Sequence, residues 1–382
     1  MATRDAERRH DERLEALART NPAFGPSKLK LGTFCTNVSG AATMSTMEGV
    51  FEATWPNVQA VSRLADEMKF EAIVPLGRWR GFGGVTNHNQ HAFEAMTFSA
   101  AVTAQTRFPS VFATIHVPTM HPVLAAKQVT TIDHVGGGRF TLNVVTGWNR
   151  REIELFGSPL LDHAQRYEVA DEWITLMKRL WTEDDDFDFE GNYYTVRAAS
   201  LKPRPIQPYP ALMNASGSEV GKRFAAKHFD IVFGALNARD PDLLRPQLES
   251  YRAFARSEYG REIKVWLSAY VVLGDTMEDA QRRFDYCVFE KGDPVAARNF
   301  ITGMGIDSKS LAPDTLKNIE ADMIAGYGGI RLLGTKETIA EELKLLSDCG
   351  LDGILLTFPA FIEDMTRFRD EVHPLLVQLG LR

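Results

Sequence analysis

Cysteine is scarce and scattered in this sequence: Cys35, Cys287 and Cys349 are the only three in 382 residues. They form no C-x-x-C pair and no Cys/His spacing suited to zinc. That excludes a disulfide framework and a zinc module, and predicts small buried thiols in a reducing compartment. Positive charge is also in deficit, with 43 Lys and Arg against 50 Asp and Glu and a formal charge of −7. No local basic cluster compensates, so the electrostatic footprint of a nucleic-acid binder is missing. No run approaches the ~18 apolar residues of a membrane span. The opening segment MATRDAERRHDERLEALART mixes both charge signs and lacks an apolar core, so it does not read as a secretory signal. A cytoplasmic protein is expected, with residues 1–28 a charged, helical arm that is solvated or touches another subunit.

Several chemical signatures are missing too. There is no GxSxG elbow, no HExxH, and no GxGxxG between a strand and a helix. The run from Gly217 to Arg223 (GSEVGKR) is one residue short of a P-loop and has Arg223 where a Ser or Thr must hold magnesium. Gly136, Gly137 and Gly138 precede a strand rather than a helix, which makes them a turn.

What is present is alternation. Continuous β-rich runs occur at 29–35, 72–76, 110–117, 139–146, 210–215, 230–234, 265–273 and 352–358, most of them followed by segments of helical period. Runs without polar alternation are strands buried on both faces, as in parallel sheets. Strand and helix in turn imply βαβ units, and an open doubly wound sheet usually carries fewer strands. The pattern predicts an α/β fold, a (β/α)8 TIM barrel forming a single domain over 29–382. Its excess length falls in two insertions, at about 183–210 and 284–327. The first holds an acidic, solvated run and a hairpin turning at Glu190 and Gly191. The second, ahead of the last strand, is placed to cover the barrel's C-terminal mouth.

That mouth directs attention to particular residues. Asn143 sits on the fourth strand and Trp148 just beyond it. A buried Asn must satisfy its amide, either on neighbouring backbone or on a cofactor. Thr114 and His116 on the third strand pose the same choice, as do His91 and Glu94 before it. Gly217 and Ser218 would begin the helix after the fifth strand, where free N–H groups favour a phosphate, although Ser218 is equally a plain N-cap. His88, His91, His116 and His121 also admit a metal-dependent amidohydrolase, but no His-x-His lies on the first strand.

The segment AAKQVTTIDHVGGGRFTLNVVTGWNRREIELFG (125–157), then HAQRYEVADEWITLMKRLW and LKPRPIQP, resembles the bacterial-luciferase-like flavin monooxygenases. It is most similar to their two-component branches that act on dimethyl sulfone and on pyrimidines. The resemblance runs from about residue 29 to the C-terminus and implies the same barrel. It also implies FMN, delivered as FMNH2 by a separate NAD(P)H:flavin reductase, with O2 as co-substrate and no metal. Family flavin contacts fall on Asn143, Glu152, Arg166, Tyr167, Gly217 and Ser218. Arg78 keeps a family cation, whereas Gly77 departs from the family's aliphatic residue. Thr114, Asn143 and Trp148 match an oxygen pocket, which allows a flavin N5-peroxide beside the usual C4a-hydroperoxide. His91 and His116 are the expected proton-handling or substrate-polarising groups. The implied activity is oxygenation and cleavage of a C–S or C–N bond in a small organic or heterocyclic catabolic substrate, by a homodimer or homotetramer. An F420-dependent oxidoreductase and a non-catalytic flavin-binding barrel are the other readings of such a chain. Substrate-facing motifs are split: residues 80–84 and 355–358 look like the pyrimidine enzymes, 37–40 and 89–91 like the sulfone enzymes.

Overall fold

The computed structural model describes residues 2–215, 217–234, 240–305 and 313–382. Its strands are β1 (Lys30–Phe34), β2 (Ala72–Val74), β3 (Ser110–His116), β4 (Phe140–Val145), β5 (Phe187–Glu190), β6 (Thr195–Ala199), β7 (Ala211–Ala215), β8 (Ile231–Phe233), β9 (Lys264–Leu273), β10 (Ile330–Gly334) and β11 (Gly353–Thr357). β1, β2, β3, β4, β7, β8, β9 and β11 pair in parallel in that order, and β11 returns to β1 to close the barrel. The fold is the expected (β/α)8 barrel, and all eight anticipated runs are its strands. Their side chains are buried almost throughout, because helices cover the outside and the interior is filled.

β10 was not expected. It pairs with Ala269–Leu273, the part of β9 that extends past its contact with β8 at Lys264–Trp266, so it adds to the barrel circle rather than closing it. The hairpin expected at Glu190 and Gly191 is formed by β5 and β6. Helix Met277–Asp285 leads into the second insertion, within which run helices Pro294–Gly303 and Pro313–Gly326, while 306–312 lie outside the described residues. All three cysteines are buried. Among the described residues no helix is long and apolar enough to cross a membrane.

The N-terminal ends of the strands are tied by carboxylates. Glu71, Asp230 and Asp352, each just ahead of a strand, accept the backbone N–H of Leu31, Leu212 and Val265 on the neighbouring strand, at 2.8, 2.9 and 2.9 Å. Each also meets an arginine: Arg382, Arg13 and Arg252 respectively. This end is a structural seal, which leaves the opposite mouth for chemistry.

Arg13 comes from the arm. Helix Ala2–Thr20 lays His10, Arg13 and Leu17 against the barrel rather than running free. Arg13 Nη1 stands 2.5 Å from Asp230 Oδ1, and its guanidinium lies 3.6 Å from the Tyr209 ring centroid. Burial alone would raise the Asp230 carboxyl, but Arg13 and Arg261 override it and hold it at about 2. Removing one partner of a buried pair strands the other charge, so Arg13→Ala should cost about 3–5 kcal/mol in urea unfolding at neutral pH. A loss below about 1 kcal/mol, the range of exposed pairs, would contradict the docked arm.

Candidate active site

A cavity of about 410 Å3 opens at the C-terminal ends of the strands. Phe34, Leu76, Thr114, His116, Asn143, Val145, Met213, Phe233 and Ser268 reach it from the strand ends. Phe300, Met304 and Tyr327 reach it from the second insertion, and Gly77, Arg78, Trp148 and Gly217 from the connecting loops. An apolar chamber with few convergent polar groups, at the mouth that barrel enzymes use, is the form of a cofactor site.

Its polar groups are pre-set. Thr114 and Asn143 face each other across β3 and β4 in register. Asn143 Nδ2 donates to Thr114 Oγ1 at 3.1 Å, and Thr114 Oγ1 donates to the Pro75 carbonyl at 2.6 Å. That chain fixes the amide and leaves Asn143 Oδ1 buried with no partner, an acceptor awaiting a donor.

Arg78 is buried in the wall. Its Nη1 donates to Glu152 Oε1 at 3.1 Å, and the same oxygen accepts Trp79 N–H at 2.8 Å and Arg80 N–H at 3.1 Å. Arg78 Nε has no partner. Glu152 Oε2 lies 3.9 Å from His116 Nδ1, and neither of those atoms makes a hydrogen bond. Burial, reinforced by Arg78 and opposed by Glu152, lowers His116 to about 4, so the ring is neutral at neutral pH.

Several of the expected contact residues do not line this cavity. Glu152 is fully buried but does not line the cavity; it acts on it through Arg78, because its carboxylate is consumed by the loop after β2. Arg166 donates to the Gly147 carbonyl and lines a separate, smaller pocket with Ile153 and Val169. Tyr167 packs on Phe224 at 5.4 Å and lines an open groove beyond helix His163–Thr182. Gly217 does line the cavity, and Ser218 beside it caps helix Glu219–His228 by accepting Gly221 N–H at 3.1 Å. Ser216 lies outside the described residues.

His91 is exposed and away from the cavity, because Val38 and Ala92 bridge and turn His88 and Asn89 inward instead. The four histidines do not converge, and among the described residues no three His, Cys, Asp or Glu side chains could hold a metal ion. Gly77 now has a reason: a Cβ there would stand 3.0 Å from the Thr114 carbonyl oxygen, so the family's aliphatic residue does not fit without displacement.

Tyr327 was not anticipated, although a tyrosine inside the run GYGG (326–329) was a signal. Its hydroxyl donates to Asn89 Oδ1 and meets His88 Nε2 at 2.8 Å. Burial, with Arg78 nearby, lowers His88 to about 3.

His88 and His116 are thus neutral in the fold and protonate more readily when unfolded. Between pH 6.5 and about 4 the unfolded chain binds more protons, so stability falls as pH falls through that window, by on the order of 1 kcal/mol per pH unit for each ring. Urea unfolding at pH 7.5 and 5.0 should show this drop, and His116→Gln should reduce it; a His116→Gln drop as large as wild type's would contradict the assignment.

A family model described as luciferase-like monooxygenase matches residues 29–353. An FMNH2-dependent dimethylsulfone monooxygenase of Pseudomonas putida is 31% identical over 357 residues, 92% of this chain and 96% of that one. The pyrimidine monooxygenase RutA of Cronobacter turicensis is 27% identical over 363 residues, 93% of this chain and 94% of its own. The crystal structure of the riboflavin lyase RcaE, with modified FMN and riboflavin, superposes at a TM-score of 0.81 with 21% identity over 92% of both chains. The barrel, the cavity at its mouth and these matches place the chain in the luciferase-like monooxygenase family.

Proposed function

We propose that this protein is the oxygenase of a two-component system: it takes reduced FMN from a separate NAD(P)H:flavin reductase and uses O2 to oxygenate a small organic or heterocyclic substrate, cleaving a C–S or C–N bond. The observation that carries this reading is the Thr114–Asn143 pair, whose unpartnered Oδ1 stands in an apolar chamber of flavin-compatible size. FMNH2-dependent relatives that act on a sulfone and on pyrimidines support it.

The residues present fit a flavin. Asn143 Oδ1 offers an acceptor to a ring N–H, Arg78 a buried positive charge in the chamber wall, and Gly217 with Ser218 the start of a helix for a phosphate. Bound reduced FMN supplies two electrons with which one oxygen atom of O2 goes to the substrate and the other to water. The chain's own part is to orient, dry and conduct protons. Trp148, Phe300, Met304 and Tyr327 exclude water from the chamber. His116, neutral at neutral pH, lines the chamber with its Nδ1 turned to Glu152 Oε2 at 3.9 Å, so positive charge gained by the ring during turnover would be offset by that carboxylate. Glu152 also holds Arg78 in place, so that the positive charge is offset from behind rather than from the chamber.

With a flavin reductase, NADH and a panel of sulfones and heterocycles, substrate-dependent O2 uptake should appear without hydrogen peroxide release. Asn143→Ala should abolish product formation and leave the fold intact by circular dichroism. Glu152→Gln should weaken FMN binding by roughly tenfold, the usual worth of a charge-assisted hydrogen bond. Wild-type turnover in Asn143→Ala would refute the assigned pocket.

A further inference from the structure

Building on the monooxygenase reading, we propose that Tyr327, with Phe300 and Trp148, forms the wall that recognises the substrate, and that this substrate is a planar conjugated ring presenting a hydrogen-bond acceptor to Arg78. The rings pack as one body. Phe300 stacks on Tyr327 at 4.6 Å and 24°, and Trp148 meets Phe300 edge-on at 5.6 Å and 62°. Behind them Phe82 lies parallel to Trp148 at 6.2 Å and 8°, with the Arg78 guanidinium 4.6 Å from the Phe82 centroid. Aromatic faces and edges pair best with another flat conjugated system. A small tetrahedral sulfone or a flexible chain would leave most of this surface unmatched. Among the described residues Arg78 is the charged side chain lining the cavity, and its Nε is buried without a partner, so the ring is expected to bring an acceptor such as a lactam oxygen.

The wall is held rigid at the expense of backbone comfort. Tyr327 has φ +56 and Asn89, its partner, φ +61, a region that residues with a Cβ rarely enter. Both lie beside the cavity and are joined through one hydroxyl. Asn89 Nδ2 donates to the Ser39 and Ala41 carbonyls at 3.0 Å each, so the loop after β1 anchors the tyrosine. At Gly326 a Cβ would fall 2.5 Å from Tyr270 Cβ, which fixes where the chain enters position 327. With the hydroxyl taken up by His88 and Asn89, neither of which lines the cavity, the ring is what Tyr327 offers it. Strain kept at such a point goes with pre-organisation for a ligand. Asn89 and His88 are positioning residues; Tyr327 touches the substrate.

The test uses the full chain loaded with reduced FMN under anaerobic conditions. Calorimetry measures binding of carbostyril, a flat bicyclic lactam, and of dimethyl sulfone; FMN affinity is measured separately by flavin fluorescence. Carbostyril should bind at least about tenfold tighter than the sulfone, and Tyr327→Leu and Phe300→Leu should each weaken it about tenfold, the worth of a stacked pair. FMN affinity should stay within about twofold in both, and Tyr327→Phe, which keeps the ring, should hold carbostyril within about threefold. Equal or tighter sulfone binding, or unchanged lactam affinity in the Leu variants, overturns the proposal. So does a parallel loss of FMN in those variants, which would give the wall to the flavin. A wild-type chain that binds no FMN instead sinks the monooxygenase reading itself.

Discussion

Glu152 is the buried carboxylate on which the site's geometry depends. One of its oxygens collects three donors from Arg78, Trp79 and Arg80, and the other faces His116. An uncompensated guanidinium at this depth would be costly, and so would an uncompensated carboxylate. Paired, they let a positive charge line an apolar chamber while the loop after β2 is pinned against the short helix Arg150–Ile153 that carries the glutamate. The indole of Trp148 and the neutral imidazole of His116 are then set around a fixed point.

The two ends of the barrel divide the work. At the N-terminal end, Glu71, Asp230 and Asp352 bond strand edges and arginines together, including Arg13 of the arm. At the other end, buried polar atoms are left without partners: Asn143 Oδ1, Arg78 Nε, His116 Nδ1 and Glu152 Oε2. Unpartnered atoms occur at the first end too, at Arg13 Nε and Arg382 Nε, but at the mouth four of them gather around one cavity, as expected where a ligand is to complete them.

The eight barrel strands were legible because burial on both faces writes continuous apolar runs, and helix periodicity fills the gaps between them. β10 was not, because it adds to an overhanging stretch of β9 that local pattern does not reveal. In the site, Thr114, His116, Asn143 and Trp148 were legible as polar or aromatic residues at strand ends, and all four line the cavity. Glu152 carried a family match, yet its loop-holding role depends on which backbone N–H groups surround it in space. Arg166 and Tyr167 are adjacent in sequence, but on a helix neighbours face different ways, and they line different pockets. His91 and His88 are three residues apart in an irregular loop, where no periodicity tells inside from outside. Tyr327 was hidden in the long insertion, where only its glycine neighbours hinted at an unusual backbone.

The most direct measurement of whether this cavity is the flavin site is a crystal structure of the chain grown anaerobically with reduced FMN. Flavin density is predicted in the cavity, with Asn143 Oδ1 accepting a hydrogen bond from the ring system and the phosphate at Gly217 and Ser218. Flavin bound in the outer groove beside Tyr167 and Phe224, with the strand-end cavity empty, would contradict it.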